Sequence, residues 1–163
     1  MKKFTVCLTA ILLAFIGCFT MIGCNDDGGD TSGCYLDEKS PAFATAYYAT
    51  VTDYDIAEKV SIGGNDYSSD YENGKFVIVT VTIQRSTGAD DVIFTRDWFT
   101  LKVGDKTVSL SDSMYTDFYL NVNAAKSVDL RFDVENASGD MKLEIAQPDA
   151  DEEPVVINLD HRK

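Results

Sequence analysis

Cysteine is missing from most of this chain. The 163 residues contain four cysteines, at positions 7, 18, 24 and 34, with none from residue 41 onward. A disulfide-stapled secreted scaffold places its cysteines in the folded part, so that class is excluded. No Cys-x-x-Cys occurs, which removes the common redox motif and the thiolate metal site. Histidine is scarcer still: His161, in a charged tail, is alone. Without a second histidine or a cysteine in the body, no Ser-His-Asp, Cys-His or His-rich constellation can assemble. Gly-x-Ser-x-Gly and His-Glu-x-x-His are absent, and no Gly-rich loop leads into a helix to cradle phosphate. Two carboxylates alone suffice for a glycosidase, but 27 acidic residues supply such pairs by chance. The expectation is a non-enzyme, with no catalytic residue, no metal ligand and no bound cofactor.

Basic residues are also few. Lysine and arginine total 14 against 27 acidic residues, for a formal charge of −13. Phosphate binding relies on Lys and Arg displacing counterions, so this balance argues against nucleic acid and anionic headgroups. What is present points to a globular body: 45% of residues are hydrophobic and 11% aromatic, too many for a disordered chain. The length fits one domain with extensions.

Apolar residues are distributed in two ways. At the start, Lys2 and Lys3 precede an uncharged run from Phe4 to Ile22. A positive end that stays cytoplasmic while an apolar run inserts is the physics of a secretory leader. The run closes with Met21-Ile22-Gly23-Cys24, and Asn25 to Ser40 is then rich in Gly, Asp, Ser and Thr. Such a segment reads as a flexible tether, whose sixteen residues have an r.m.s. reach of about 20–24 Å. Cys34 lies inside it, as a spare thiol or a partner for an intermolecular disulfide.

Met21-Ile22-Gly23-Cys24 resembles the lipobox of bacterial lipoproteins. The resemblance implies cleavage before Cys24, with diacylglycerol and acyl groups, palmitate among them, joined to that residue. It divides the chain into a signal peptide (1–23), a lipidated tether (24–40) and a folded domain (41–163). Phe15-Ile16-Gly17-Cys18 offers a second box, and an uncleaved anchor is a further alternative, since nineteen residues at about 1.5 Å each just cross a bilayer core. In two-membrane bacteria of this family, Asp after the lipidated cysteine marks inner-membrane retention. Asn25 does not carry that mark, so the implied location is the cell envelope, on the outer face of a membrane, and the outer membrane if there are two.

From Pro41 onward the hydrophobic period is two. Tyr47, Ala49 and Val51 alternate with polar residues, as do Phe99, Leu101 and Val103, and Met141, Leu143 and Ile145. Val128, Leu130, Phe132 and Val134 alternate with Ser127, Asp129, Arg131 and Asp133. Val77 to Ile83 is apolar or β-branched on both faces, which predicts a central strand. Gly104-Asp105 marks a hairpin leading to Val108 and Leu110, and Val155, Ile157 and Leu159 close the set. Seven or eight strands without a long amphipathic helix predict an all-β antiparallel sandwich. Ser111 to Leu120 is expected to cross over one end of it. The body resembles the immunoglobulin-like domain-of-unknown-function family of secreted lipoproteins, on Gly74 to Ile83, Trp98 to Leu101, the Gly104-Asp105 turn, Val128 to Val134 and Met141 to Ile145. That resemblance implies an immunoglobulin-like sandwich and transfers no catalytic residue.

The stretch from Asp55 to Gly74 shows no strand pattern and is long for a compact domain. Its residues Asp66, Tyr67, Asp70 and Tyr71 form the candidate binding loop, because Tyr among Ser, Gly and Asn makes an adaptable contact surface. Asp66, Asp70, Glu72 and Asn73, and Asp149, Asp151, Glu152 and Glu153, are oxygen-rich, but neither has EF-hand spacing, and both read as solvated loops. The sequence thus predicts a non-catalytic interaction module held to a membrane by its lipid, with an envelope protein or polymer as partner. A solute- or ion-binding lipoprotein serving a transporter is the alternative.

Overall fold

A computed structural model describes residues 34–111 and 115–159. Cys7, Cys18, Cys24, Met114 and His161 lie outside that set. The described chain folds as a β-sandwich with no α-helix. The strands are β1 (Cys34–Tyr35), β2 (Tyr47–Ala57), β3 (Lys59–Ile62), β4 (Asn65–Ser68), β5 (Lys75–Arg85), β6 (Phe99–Val103), β7 (Lys106–Ser109), β8 (Ala125–Val134), β9 (Met141–Ile145) and β10 (Val155–Asn158).

One sheet has the order β1-β10-β9-β6-β7 and the other β2-β5-β8. The three-stranded layer corresponds to strands A-B-E of an immunoglobulin fold, and β10-β9-β6-β7 to G-F-C-C′. Period-two alternation explains the core. Val77, Val79, Val81 and Ile83 of β5 meet Leu130, Phe132 and Val134 of β8 and Tyr47, Ala49 and Val51 of β2 on one side. Facing them are Phe99 and Leu101, Leu143 and Ile145, and Ile157. All are buried, and each fully buried Val, Leu, Ile or Phe side chain contributes about 1.5–3 kcal/mol through water exclusion. As its two-faced pattern predicts, β5 is central, paired along its length with β2 and β8.

Three expectations need correction. The tether does not extend to Ser40. Cys34 and Leu36 are buried in the core, the Ser40 hydroxyl accepts the Ala49 amide at 2.9 Å, and the Asp37 amide donates to the Val51 carbonyl at 2.8 Å. Backbone pairing captures this polar segment, which has too few apolar residues to show a period. The sandwich is also not wholly antiparallel, because β1 runs parallel to β10, with Cys34 opposite Ile157 and Tyr35 opposite Asn158.

Nor is Asp55 to Gly74 a patternless loop. β2 runs on to Ala57, past a bulge at Thr52 that moves its pairing from Val51–Val81 to Asp53–Thr80. β3 and β4 then make a hairpin closed by Gly63 and Gly64, both at positive φ (59° and 85°), which side chains would resist. The hairpin lies against β5, where Val60 and Phe76 are buried outside the inter-sheet core.

The sandwich has two distinct ends. Aromatic rings fill one, where Phe94 lies 4.7 Å from Trp98, 5.1 Å from Phe118 and 5.2 Å from Tyr47 by ring centroid. There the crossover after Ser111 covers the core with Phe118 and Leu120, as expected. The turns after β4, β6 and β8 occupy the other end. β1 runs from the aromatic end toward that second end, alongside β10.

Candidate functional site

The end away from the aromatic rings carries a tightly held turn with an exposed tyrosine. After β4 the chain makes a tight turn in which the Gly74 amide donates to the Tyr71 carbonyl at 3.1 Å and Asn73 takes a positive φ of 64°. Gly74 is required by space. A Cβ there would lie 2.1 Å from Ser69 Oγ, 2.8 Å from Tyr71 Cβ and 3.0 Å from the Val134 carbonyl oxygen. Asp133, on β8, holds the turn from beneath, accepting the Ser69 hydroxyl at 2.5 Å and the Asp70 amide at 2.8 Å. Ser69 Oγ in turn accepts the Tyr71 amide at 3.1 Å.

This rigid platform presents Tyr71, which is 50% exposed. An exposed ring on a tightly packed turn is held ready for contact at little ordering cost. Tyr71 separates two surface clefts. One, of about 460 Å³, lies toward β7 and is lined by Asp70, Thr107, Val108, Ser109, Ser111 and Asp133. The other, of about 500 Å³, lies toward the hairpin and includes Glu58, Lys59, Ser68, Asn73 and Lys75. Both mix hydroxyl, carboxylate, amide and amine groups with a substantial share of apolar surface, and Val108 and the Tyr71 ring are among the residues that line them.

At the rim, Lys106 pairs with Glu135 at 2.5 Å. The hydrogen bond and charge of Glu135 raise the Lys106 pKa above the ordinary lysine value, and nearby Tyr71 adds a smaller push in the same direction. The same pair lowers the Glu135 carboxyl below the usual range.

The four predicted loop residues therefore separate into two groups. Asp70 and Tyr71 lie on the platform and line the clefts. Asp66 and Tyr67 sit in β4 instead, where Asp66 accepts the Ser61 hydroxyl and Tyr67 pairs with Val60. Sequence reasoning missed Asp133 and Thr107, which the sheet topology brings in from distant positions. Lipidation at Cys24 concerns a residue outside the described set. Among the described residues no three His, Cys, Asp or Glu side chains converge to hold a metal ion, and no helix is long and apolar enough to cross a membrane.

The aromatic end has its own order. Arg85 is buried and donates to the carbonyls of Leu120 at 2.8 Å and Ala89 at 2.6 Å, while Asp91 accepts at 2.6 Å from the solvent side. The Tyr47 hydroxyl donates to the Asp90 carbonyl at 2.7 Å. These bonds fasten the loop between β5 and β6. Tyr115 donates to the Phe94 carbonyl at 3.0 Å, and burial, with a smaller contribution from Asp117, pushes its hydroxyl pKa well up. Phe94 and Phe118 form a bridge, so their neighbours Ile93 and Tyr119 emerge side by side, both well exposed.

The chain matches no known family model and no curated protein. Among solved structures it is similar to an uncharacterised β-sandwich protein of Clostridium difficile 630, at 9% identity with a TM-score of 0.47. That similarity covers 82% of this chain and 99% of the other. The sandwich assignment rests on this chain's own strands and their pairing.

Proposed function

We propose that the protein is a non-catalytic interaction module of the bacterial cell envelope, lipid-anchored at Cys24 on the outer face of a membrane. The observation that carries this reading is the placement of Tyr71. It is exposed on a pre-set turn, at the end of the sandwich opposite the one from which β1 runs. Nine residues, 25 to 33, separate Cys24 from the domain. A flexible tether of that length would have an r.m.s. reach of about 15–18 Å, enough for the domain to clear the headgroups. Two or three acyl chains at about 0.8 kcal/mol per buried methylene hold such a protein firmly.

The clefts beside Tyr71 are open to solvent, which favours contact with a larger partner over enclosure of a small solute. Two measurements test the reading. Cys24→Ser is expected to release the protein from the membrane fraction, and its retention at full length in the membrane would end the lipid-anchor claim. Crosslinking in living cells is expected to capture a partner with the natural chain and to lose it with Tyr71→Ala. Identical captures from both would remove Tyr71 from the contact.

A further inference from the structure

We infer that Asn73-Gly74 is a site of spontaneous covalent modification, at which Asn73 loses its side-chain nitrogen, and that the folded Tyr71 turn keeps this reaction slow. The inference is independent of what the platform binds. Two requirements of the turn meet at adjacent positions. Position 73 takes a φ of 64°, a left-handed conformation that asparagine tolerates better than most side chains. Position 74 has no room for a Cβ, which would fall 2.1 Å from Ser69 Oγ and 3.0 Å from the Val134 carbonyl oxygen. The fold therefore calls for Asn followed by Gly, and among the chain's seven asparagines only Asn73 precedes a glycine.

That dipeptide is chemically labile, because no side chain on the glycine hinders its amide nitrogen. Once this amide gives up its proton, the Gly74 nitrogen attacks the Asn73 side-chain carbonyl carbon. The new C–N bond closes a five-membered imide, and the side-chain nitrogen leaves with a proton as ammonia. Water then opens the imide at either carbonyl. One product is aspartate in the normal backbone, and the other is isoaspartate, whose main chain runs through the side-chain carbons. Asn73 is exposed, so water reaches it.

The folded turn opposes the attack in two ways. The Gly74 amide donates to the Tyr71 carbonyl at 3.1 Å, so its proton is engaged. Ser69, Tyr71 and Val134 crowd Gly74 and leave the 73–74 peptide little room to swing into the imide. Asp133 keeps this packing in place through the Ser69 hydroxyl and the Asp70 amide. Reaction therefore waits on local opening of the turn. Isoaspartate adds a carbon to the main chain between Tyr71 and Gly74, so the turn that presents Tyr71 cannot close again with the same bonds. Aspartate adds only a charge.

The test holds the full chain in detergent micelles at mildly alkaline pH, with and without denaturant, and maps its peptides by mass spectrometry. In denaturant, conversion at Asn73 is expected to outrun that at the other six asparagines. Folding should slow it at least about tenfold, the factor that about 1.4 kcal/mol of hydrogen bonding confers. Asp133→Ala, held well below its melting temperature, should convert several-fold faster than the folded natural chain. The isolated isoaspartate form should exchange its Tyr71 and Gly74 amides faster than the natural chain, while Asn73→Asp should not. Faster conversion at another asparagine in denaturant overturns the site, and equal rates with and without denaturant overturn the guarding turn. Natural exchange in the isoaspartate form, or equally fast exchange in Asn73→Asp, overturns the backbone consequence.

Discussion

Ser69 and Asp133 are sixty-four positions apart in the chain, yet they share a 2.5 Å hydrogen bond that fixes the turn beneath Tyr71. The bond joins the turn after the β3–β4 hairpin to the last strand of the small sheet. It ties the platform to the core through β8, whose neighbouring residues Phe132 and Val134 are buried.

Replacing Asp133 by Ala removes this bond and the one from the Asp70 amide. Hydrogen bonds to charged groups contribute about 1.5–3 kcal/mol each when well shielded, and partial exposure places the cost here toward the lower value. The expected outcome is a modest drop in melting temperature with faster amide exchange at Asp70 and Tyr71. Unchanged exchange at those two amides would contradict the role given to Asp133.

Gly74→Ala is expected to be costlier than an ordinary turn substitution, at about 1–3 kcal/mol for forced overpacking. Two of the three atoms nearest the added methyl, Tyr71 Cβ and the Val134 carbonyl oxygen, cannot rotate away. Denaturant unfolding measures the loss. A variant as stable as the natural chain would show that the turn can relax.

Arg85 and its salt-bridge partner should behave very differently when changed. Arg85→Ala leaves the Leu120 and Ala89 carbonyls without their donor, at about 1–3 kcal/mol for each acceptor that stays buried. Asp91 is 92% exposed, so Asp91→Asn should change stability by less than about 1 kcal/mol. Equal costs for the two variants would mean that the ion pair, not the carbonyl contacts, fastens the loop.

Cys34 is 1% exposed. In the folded protein its thiol should resist a water-soluble alkylating reagent and should react once denaturant opens the sandwich. Rapid labelling under native conditions would detach β1 from the domain and restore the longer tether.

Tyr115 supplies a pH dependence. Its folded pKa lies above the unfolded tyrosine value because burial disfavours the phenolate. Its contribution is therefore fully present below about pH 10, the unfolded value, and is lost as pH rises toward the folded one. Alkaline unfolding curves should show stability falling above that pH, less steeply for Tyr115→Phe.

Much of this architecture is written in the hydrophobic period. β5, β6, β8, β9 and β10 each alternate in the sequence as they do in the sandwich, because facing layers demand an apolar residue at every second position. β1 left no such trace, since a two-residue strand has no period and only Cys34 and Leu36 in its neighbourhood are apolar and buried. The β3–β4 hairpin does leave a trace in the sequence: Gly63-Gly64 between Val60, Ile62 and Tyr67 is a two-residue hairpin turn. Asp70 and Tyr71 were found through local composition. Asp133 and Thr107 could not be, because their approach depends on strand pairings between distant segments. Only the folded sheet order brings those segments together.

The parallel register of β1 against β10 has a mechanical consequence. Both strands run from the aromatic end toward the Tyr71 end. A tension applied between the chain's entry point and a partner gripping Tyr71 is directed along β1. The β1–β10 hydrogen bonds then bear the load together in shear and are not peeled apart one after another. The β1–β10 seam is thus set in its stronger direction for a load applied between those two points.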